Sequence, residues 1–217
     1  SATLTLTGIT SAMNGYDYRV TVANGAPSVC VASLTSGGVN LTVEEVPEIT
    51  LQPVASTICE NTNTTFTVNA GVTTVPAYQW QESTNGGSSY SNVVNGGIYS
   101  GATLGTLTLT GVPLGSNGYL YRVIVSGTCA PSVVSNGAVL NVEQNVVIGT
   151  APVAATGCEG STVSYSVSAS GSGLTYVWEE DNGGGFAVIV NGGVYSGAAS
   201  ATLTLTGITS AMNGYDY

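Results

Sequence analysis

Residues 1–18 read SATLTLTGITSAMNGYDY, and residues 200–217 read the same eighteen letters. The segment TLTLT alternates leucine with threonine, the pattern of a strand with one buried and one wet face. NGYDY begins with a turn pair and runs into a second strand. The identity superimposes the end of the chain on its beginning with a shift of 199 residues (200 minus 1). A looser repeat lies inside it. TLTLTGVPLGSNGYLYRVIV at 106–125 matches TLTLTGITSAMNGYDYRVTV at 3–22, and YQWQESTNGG at 78–87 matches YVWEEDNGGG at 176–185. The unit is about a hundred residues in two alternating versions, a size that predicts an array of domains rather than a solenoid of small repeats.

This spacing predicts three segments. Residues 1–46 form the C-terminal half of one domain, 47–143 a complete domain, and 144–217 the front of a further one, with 19–46 as the natural continuation of 144–217. The chain is therefore expected to be a window on a longer tandem array.

Composition narrows the function. Of 217 residues 43% are apolar, but only 6% are charged; the net charge is −10, and Arg19 and Arg122 are the two basic residues. Such a surface repels nucleic acid and anionic lipid. There is no lysine and no histidine, which removes amine chemistry, the commonest general base and the commonest metal ligand. No stretch is long and apolar enough for a membrane-spanning helix. We expect no enzyme activity, no cofactor and no membrane insertion in this segment. EED at 179–181 offers carboxylates but nothing to raise one pKa. Glu44, Glu45 and Glu48, with Asp17 near the same end, could in principle hold Ca²⁺. The sparse ligand set favours a solvated acidic linker.

In the complete domain, short alternating runs at 47–54, 64–70, 76–82, 89–94, 106–110, 119–126 and 137–142 predict an all-β, two-sheet sandwich. Phe66, Val68 and Ala70 share a face, as do Leu107 with Leu109, and Tyr121 with Val123 and Val125. The pattern resembles the immunoglobulin fold. Trp80 stands in the third strand, strand C (76–82), as Trp178 does in its copy. NGYLY ending at Tyr121 and NGYDY ending at Tyr18 are similar to the tyrosine-corner segment opening strand F (119–126). Val68 and Val123 stand where an antibody domain carries its inter-sheet disulfide, which predicts an apolar contact around Trp80.

CEGSTVSYSV, YVWEE, NGGVYSGAASATLTLTGITSAMNGYDYRV and the later GTC are similar to the Ig-like tandem repeats of large Bacteroidota cell-surface adhesins. That resemblance implies export by the type IX system, an extracellular cell-surface location and, in some members, a part in gliding motility.

Cys59 and Cys158 precede strand B (64–70 and its copy) in the A–B turn; Cys129 and Cys30 follow strand F in the F–G loop. An intradomain bridge would have to span strand F, about 26 Å, whereas a disulfide needs Cα atoms within about 7 Å. In a tandem array the A–B end of one domain faces the F–G end of the next. The four cysteines are therefore expected to pair between domains, with no disulfide inside residues 1–217; an intradomain bridge or free thiols are the alternatives. The absence of histidine and of a CxxC pair argues against zinc. These readings predict an elongated, load-bearing stalk segment whose partners are neighbouring repeats. The alternative is an adhesive module whose loops hold glycans or other cells, with Tyr90, Tyr99 and Tyr195 as a stacking surface.

Overall fold

The computed structural model describes residues 2–25 and 33–217. Among them every regular element is a β-strand or a three-residue 3₁₀ turn. The chain groups into two compact units. One holds Ser1–Ser56, Asn63–Val112 and Gly118–Asn141; the other holds Thr57–Thr62, Pro113–Asn117 and Val142–Tyr217.

In the first unit the strands begin with β1 (Asp17–Tyr18), β2 (Thr21–Ala23), β3 (Ser33–Thr35) and β4 (Val39–Asn40). β1 pairs with β4 and β2 with β3, both antiparallel. Next come β5 (Ser56–Cys59), β6 (Thr64–Thr67), β7 (Ala77–Ser83), β8 (Ser91–Asn92), β9 (Tyr99–Ser100), β10 (Thr106–Leu109), β11 (Leu120–Ser126), β12 (Val133–Val134) and β13 (Ala138–Glu143), of which Thr57–Cys59 in β5 and Val142–Glu143 in β13 are counted with the second unit. They make two sheets. One runs β6–β10–β9; the other runs β5–β13–β11–β7–β8, with β12 also on β11. Between the sheets lie Phe66, Val68, Trp80, Leu107, Leu109, Tyr121, Val123, Val125 and Leu140, all at most 5% exposed. Alternation explains this placement: in β11 every second residue is buried, and in β10 the leucines point in while threonines line the other face. Each fully buried leucine or valine contributes about 1.5–3 kcal/mol.

Several strands differ from the sequence reading. Residues 47–54 form no strand, only a bridge between Leu51 and Asn69. Pro47 and Pro53 remove the backbone donors a ladder needs. Regular pairing starts at β5, so Cys59 ends a strand rather than sitting in a turn. The expected strand at 89–94 shrinks to β8, and Asn85-Gly86 belongs to a seven-residue loop, 84–90, rather than a two-residue hairpin turn. There Asn85 Oδ1 accepts from the Ser83 hydroxyl and the Ser89 N–H.

The second unit contains β14 (Val147–Thr150), β15 (Thr162–Ser166), β16 (Ser168–Ser170), β17 (Glu179–Glu180), β18 (Ala187–Val188), β19 (Tyr195–Ser196) and β20 (Thr202–Thr206). β15–β20–β19 repeats the pattern of β6–β10–β9. Its core is Trp178, Ile189, Ala198, Leu203 and Leu205, with Val163, Tyr165, Ile208, Met212 and Tyr217 packed against it.

Both tryptophans are held the same way. The Trp80 backbone N–H donates to Ala102 O and its indole Nε1–H to Leu104 O at 2.8 Å. Trp178 makes the matching bonds to Ala198 O and Ser200 O. The repeated NGG-x-Y-S-G-A segment supplies the alanine carbonyls, and the indole acceptors lie two residues beyond it. Asn95 and Asn191 each fix it by accepting a backbone N–H, from Ala102 and Ala198 respectively. Within it Gly101 (φ +77°) and Gly197 (φ +78°) adopt a left-handed conformation, and a Cβ at either would collide with a carbonyl oxygen, of Thr106 or Thr202. We expect Gly101→Ala to lower stability by more than about 1 kcal/mol in urea unfolding. Gly115→Ala, at an open site with ordinary φ, should be neutral or slightly stabilising.

Candidate functional site

The residues singled out by the sequence fall in two places: the sandwich interior and the ends of the modules.

In the interior, Trp80, Val123 and Tyr121 are fully buried, Val68 is 5% exposed and Trp178 is 7% exposed. Tyr18, in β1, is half-buried and opposite Val39. Tyr121 stacks on Phe66 with ring centroids 4.9 Å apart. Its hydroxyl lies 3.1 Å from that of Tyr99, which donates to Glu82 Oε2 at 2.6 Å. The tyrosine-corner position therefore binds a tyrosine–glutamate pair inside the sandwich. The second unit repeats this: Tyr217 stacks on Tyr165, and Tyr195 donates to Glu180. Burial, then the bond to Glu82, drives the Tyr99 phenol far above its ordinary value. Burial pushes Tyr121 up to about 12, against the opposing bond from Tyr99. Burial and the bond to Glu180 push Tyr195 to about 12. Tyr90 lies under the Arg122 guanidinium, 3.7 Å from its ring centroid. The three tyrosines considered as a stacking surface thus have intramolecular partners. Arg122 Nε donates to the Gln81 side chain at 2.9 Å. In EED, Glu180 accepts from Tyr195, and the Gly185 and Gly183 N–H groups hold Asp181 below its usual range. The lowered pKa keeps Asp181 a carboxylate rather than a proton donor.

The segments expected to be linkers are each bonded to a loop downstream of them. Glu45 N–H donates to Thr74 Oγ1 at 2.8 Å, and Thr74 N–H donates back to Glu45 O. Pro47 is buried beside Gly127, where a Cβ would come within 2.8 Å of Thr73 Cγ2 and Thr74 O. Cys129, half-buried, points its thiol at Glu44 O, 3.6 Å away. The second unit repeats the exchange at equivalent positions: Gln144 N–H donates to Ser172 Oγ at 2.8 Å, and Ser172 N–H donates to Gln144 O at 3.1 Å. There the linker also meets the A–B turn ahead of it. Glu60 N–H donates to Glu143 O at 2.8 Å, and Asn145 N–H donates to Glu60 Oε1 at 3.0 Å.

Cys59 and Cys158 are exposed and, like Cys129, carry free thiols; Cys30 lies outside the described residues. Among the described residues no group of three or more histidine, cysteine or acidic side chains could hold a metal, so Glu44, Glu45, Glu48 and Asp17 do not assemble into a calcium site. No helix among them is long and apolar enough to cross a membrane. Sequence reasoning missed the hydroxyl exchange at Thr74 and Ser172. The signal was available, since each stands six residues before its tryptophan.

These features define a tandem of immunoglobulin-like β-sandwiches, and solved structures share that fold. The chain is similar to an I-band fragment of titin (14% identity, TM-score 0.64, covering 93% of this chain and 68% of that one). It is also similar to immunoglobulin domains 1–5 of Sidekick-1 (16%, 0.55, 92% and 42%) and to extracellular domains 3–5 of Drosophila OTK (18%, 0.51, 82% and 58%). Residues 50–144 match a family model described as a domain of unknown function (DUF8696). No curated protein matches.

The tyrosine clusters carry a pH signature. Unfolded phenols ionise near 10.0, whereas Tyr121 and Tyr195 do so near 12. Between those values the unfolded chain has lost protons that the folded chain keeps. Their contribution to stability is complete below about pH 10 and falls as pH rises through about 12. Urea unfolding at increasing alkaline pH should show this decline, with a shallower slope for Tyr121→Phe. A flat profile would contradict it.

Proposed function

We propose that this chain is a structural stalk segment of a long extracellular surface filament or adhesin, a load-bearing spacer built from repeated Ig-like modules. The observation that carries the reading is that both linkers are tied to the next module by the same reciprocal bond, Glu45 with Thr74 and Gln144 with Ser172. A tandem of sandwiches joined by bare peptide flexes at each junction. A linker whose backbone is paired to the following module restricts that bending in every repeat alike. The domain boundaries at 46/47 and 143/144 fit this reading, because the paired residues sit at those points.

The resemblance to Bacteroidota surface adhesins supplies the setting: export by the type IX system and a place on the cell surface, with the adhesive tip elsewhere. The fold neighbours include extracellular domains, which supports the location. The missing acid–base set supports a non-enzymatic role. The F–G and A–B cysteines suit covalent ties between successive modules in an oxidising compartment. Neighbouring repeats are the principal partners of the segment, and nucleic acid is excluded as one by the charge of −10.

The test is labelling of intact source cells with an antibody to residues 47–143, paired with a glycan-array screen of the purified chain. The account expects labelling that external protease removes, and no retained glycan. Labelling only after permeabilisation would overturn the surface role. Specific glycan capture would replace the spacer with the adhesive module.

A further inference from the structure

The turn pair Asn-Gly occurs nine times in the chain. Its chemistry is labile. Glycine has no Cβ to screen its backbone nitrogen, so that nitrogen can approach the side chain of the asparagine before it. Asparagine amides are among the heat-sensitive groups of proteins. Whether a given pair reacts depends on whether the amide and the nitrogen are free to meet.

Four of the nine pairs lie in residues 47–143, and the fold treats them differently. In Asn95-Gly96 both groups are engaged: Gly96 N–H donates to Tyr99 O at 2.9 Å, and Asn95 Oδ1 accepts the Ala102 N–H at 2.9 Å. Asn117-Gly118 is held in the same way, by Leu140 O and the Val142 N–H. In Asn85-Gly86 the side chain is locked. Its Oδ1 accepts from the Ser83 hydroxyl and the Ser89 N–H, and its Nδ2 donates to Ser89 Oγ at 2.7 Å.

Asn136-Gly137, between β12 and β13, is the exception. Both residues are exposed. The Asn136 N–H donates to Gln52 Oε1 at 2.8 Å, and its carbonyl accepts from the Ser135 hydroxyl at 2.9 Å. Among the described residues, neither the Asn136 carboxamide nor the Gly137 N–H has a hydrogen-bond partner. Packing keeps the glycine in place. A Cβ at Gly137 would come 2.8 Å from the Tyr90 hydroxyl and 3.1 Å from Leu120 Cδ2, and the Tyr90 ring in turn lies under Arg122.

We infer that Asn136 is a self-modification site, where the Gly137 backbone nitrogen displaces the side-chain amide and converts the residue to aspartate or isoaspartate. The Gly137 nitrogen attacks Asn136 Cγ, a C–N bond forms, and the Cγ–Nδ2 bond breaks. The glycine N–H proton leaves with Nδ2 as ammonia. Water then opens the cyclic imide. Addition at Cγ gives aspartate; addition at the backbone carbonyl carbon gives isoaspartate. Either product adds one negative charge. Isoaspartate also adds a methylene to the main chain between the Gln52 bond and the tight seat of Gly137, so the two cannot both be kept. Residue 136 is thus a slow timer on the stability of its module, whatever role the module serves.

The test is incubation of the full chain in mildly alkaline buffer, sampled by peptide mapping and mass spectrometry, in parallel with chain unfolded in urea. We expect Asn136 to convert at least about tenfold faster than Asn95 and Asn117, where two hydrogen bonds must break before attack. In urea the four rates should converge, because the reacting pair is the same at each place. Asn136→Gln changes an exposed side chain and removes the site. After the same incubation it should keep the urea midpoint that the wild-type chain loses. Conversion of Asn95 or Asn117 as fast as Asn136 in the folded chain, a lead for Asn136 that persists in urea, or a midpoint that changes equally in the two chains would overturn the proposal.

Discussion

Two apolar faces must be covered at once in each module, and neither half of the sequence hides its share alone. The identical stretches show how strictly this holds. Leu203 and Leu205 are at most 1% exposed in β20, which pairs along its length with β15. Leu4 and Leu6, the same residues in the same sequence, are 68% and 37% exposed, and no strand forms around them. Propensity is identical in the two places. What differs is the partner, and with it the burial that offsets the entropy of ordering a strand. Structure in this chain belongs to the pairing of halves rather than to the local sequence.

That dependence shapes the junctions. A module whose closing strand runs directly into the linker holds the linker at a fixed point, and Asn117 reinforces it by accepting the Val142 N–H. The next residues then exchange bonds with a hydroxyl ahead of the following tryptophan. Each contact is modest, about 0.5–1.5 kcal/mol for a hydrogen bond. They recur in the two repeats, as Glu45 with Thr74 and Gln144 with Ser172. The half-buried tyrosine–glutamate pairs act within each unit: Glu82 and Glu180 each accept from a phenol, and removing that phenol would leave the carboxylate short of a donor.

The fold class was legible because alternation in TLTLT and YLYRVIV declares two-faced strands, and the internal repeat declares their number. Strand ends were less so. Prolines 47 and 53 argued against a regular first strand, and the pairs at Tyr99–Ser100 and Val133–Val134 are too short to leave a period in the sequence. The site was legible only where chemistry is rare. Four cysteines in 217 residues stand out at once in the sequence, whereas Thr74 and Ser172 are lost among dozens of similar residues until the repeat is aligned on tryptophan. Arg122 shows the opposite limit. A cation in an acidic chain invites a carboxylate partner, but Arg122 meets a cross-strand glutamine and a tyrosine face.

The most direct test is to make one substitution twice, in the two copies of the same eighteen residues, and follow unfolding by denaturant. The account predicts that Leu203→Ala costs about 2–5 kcal/mol, the range for emptying a packed core site, while Leu4→Ala changes stability by less than about 0.5 kcal/mol. Equal costs at the two positions would show that the stretch folds by itself, and would contradict the claim that a module exists only where its two halves meet.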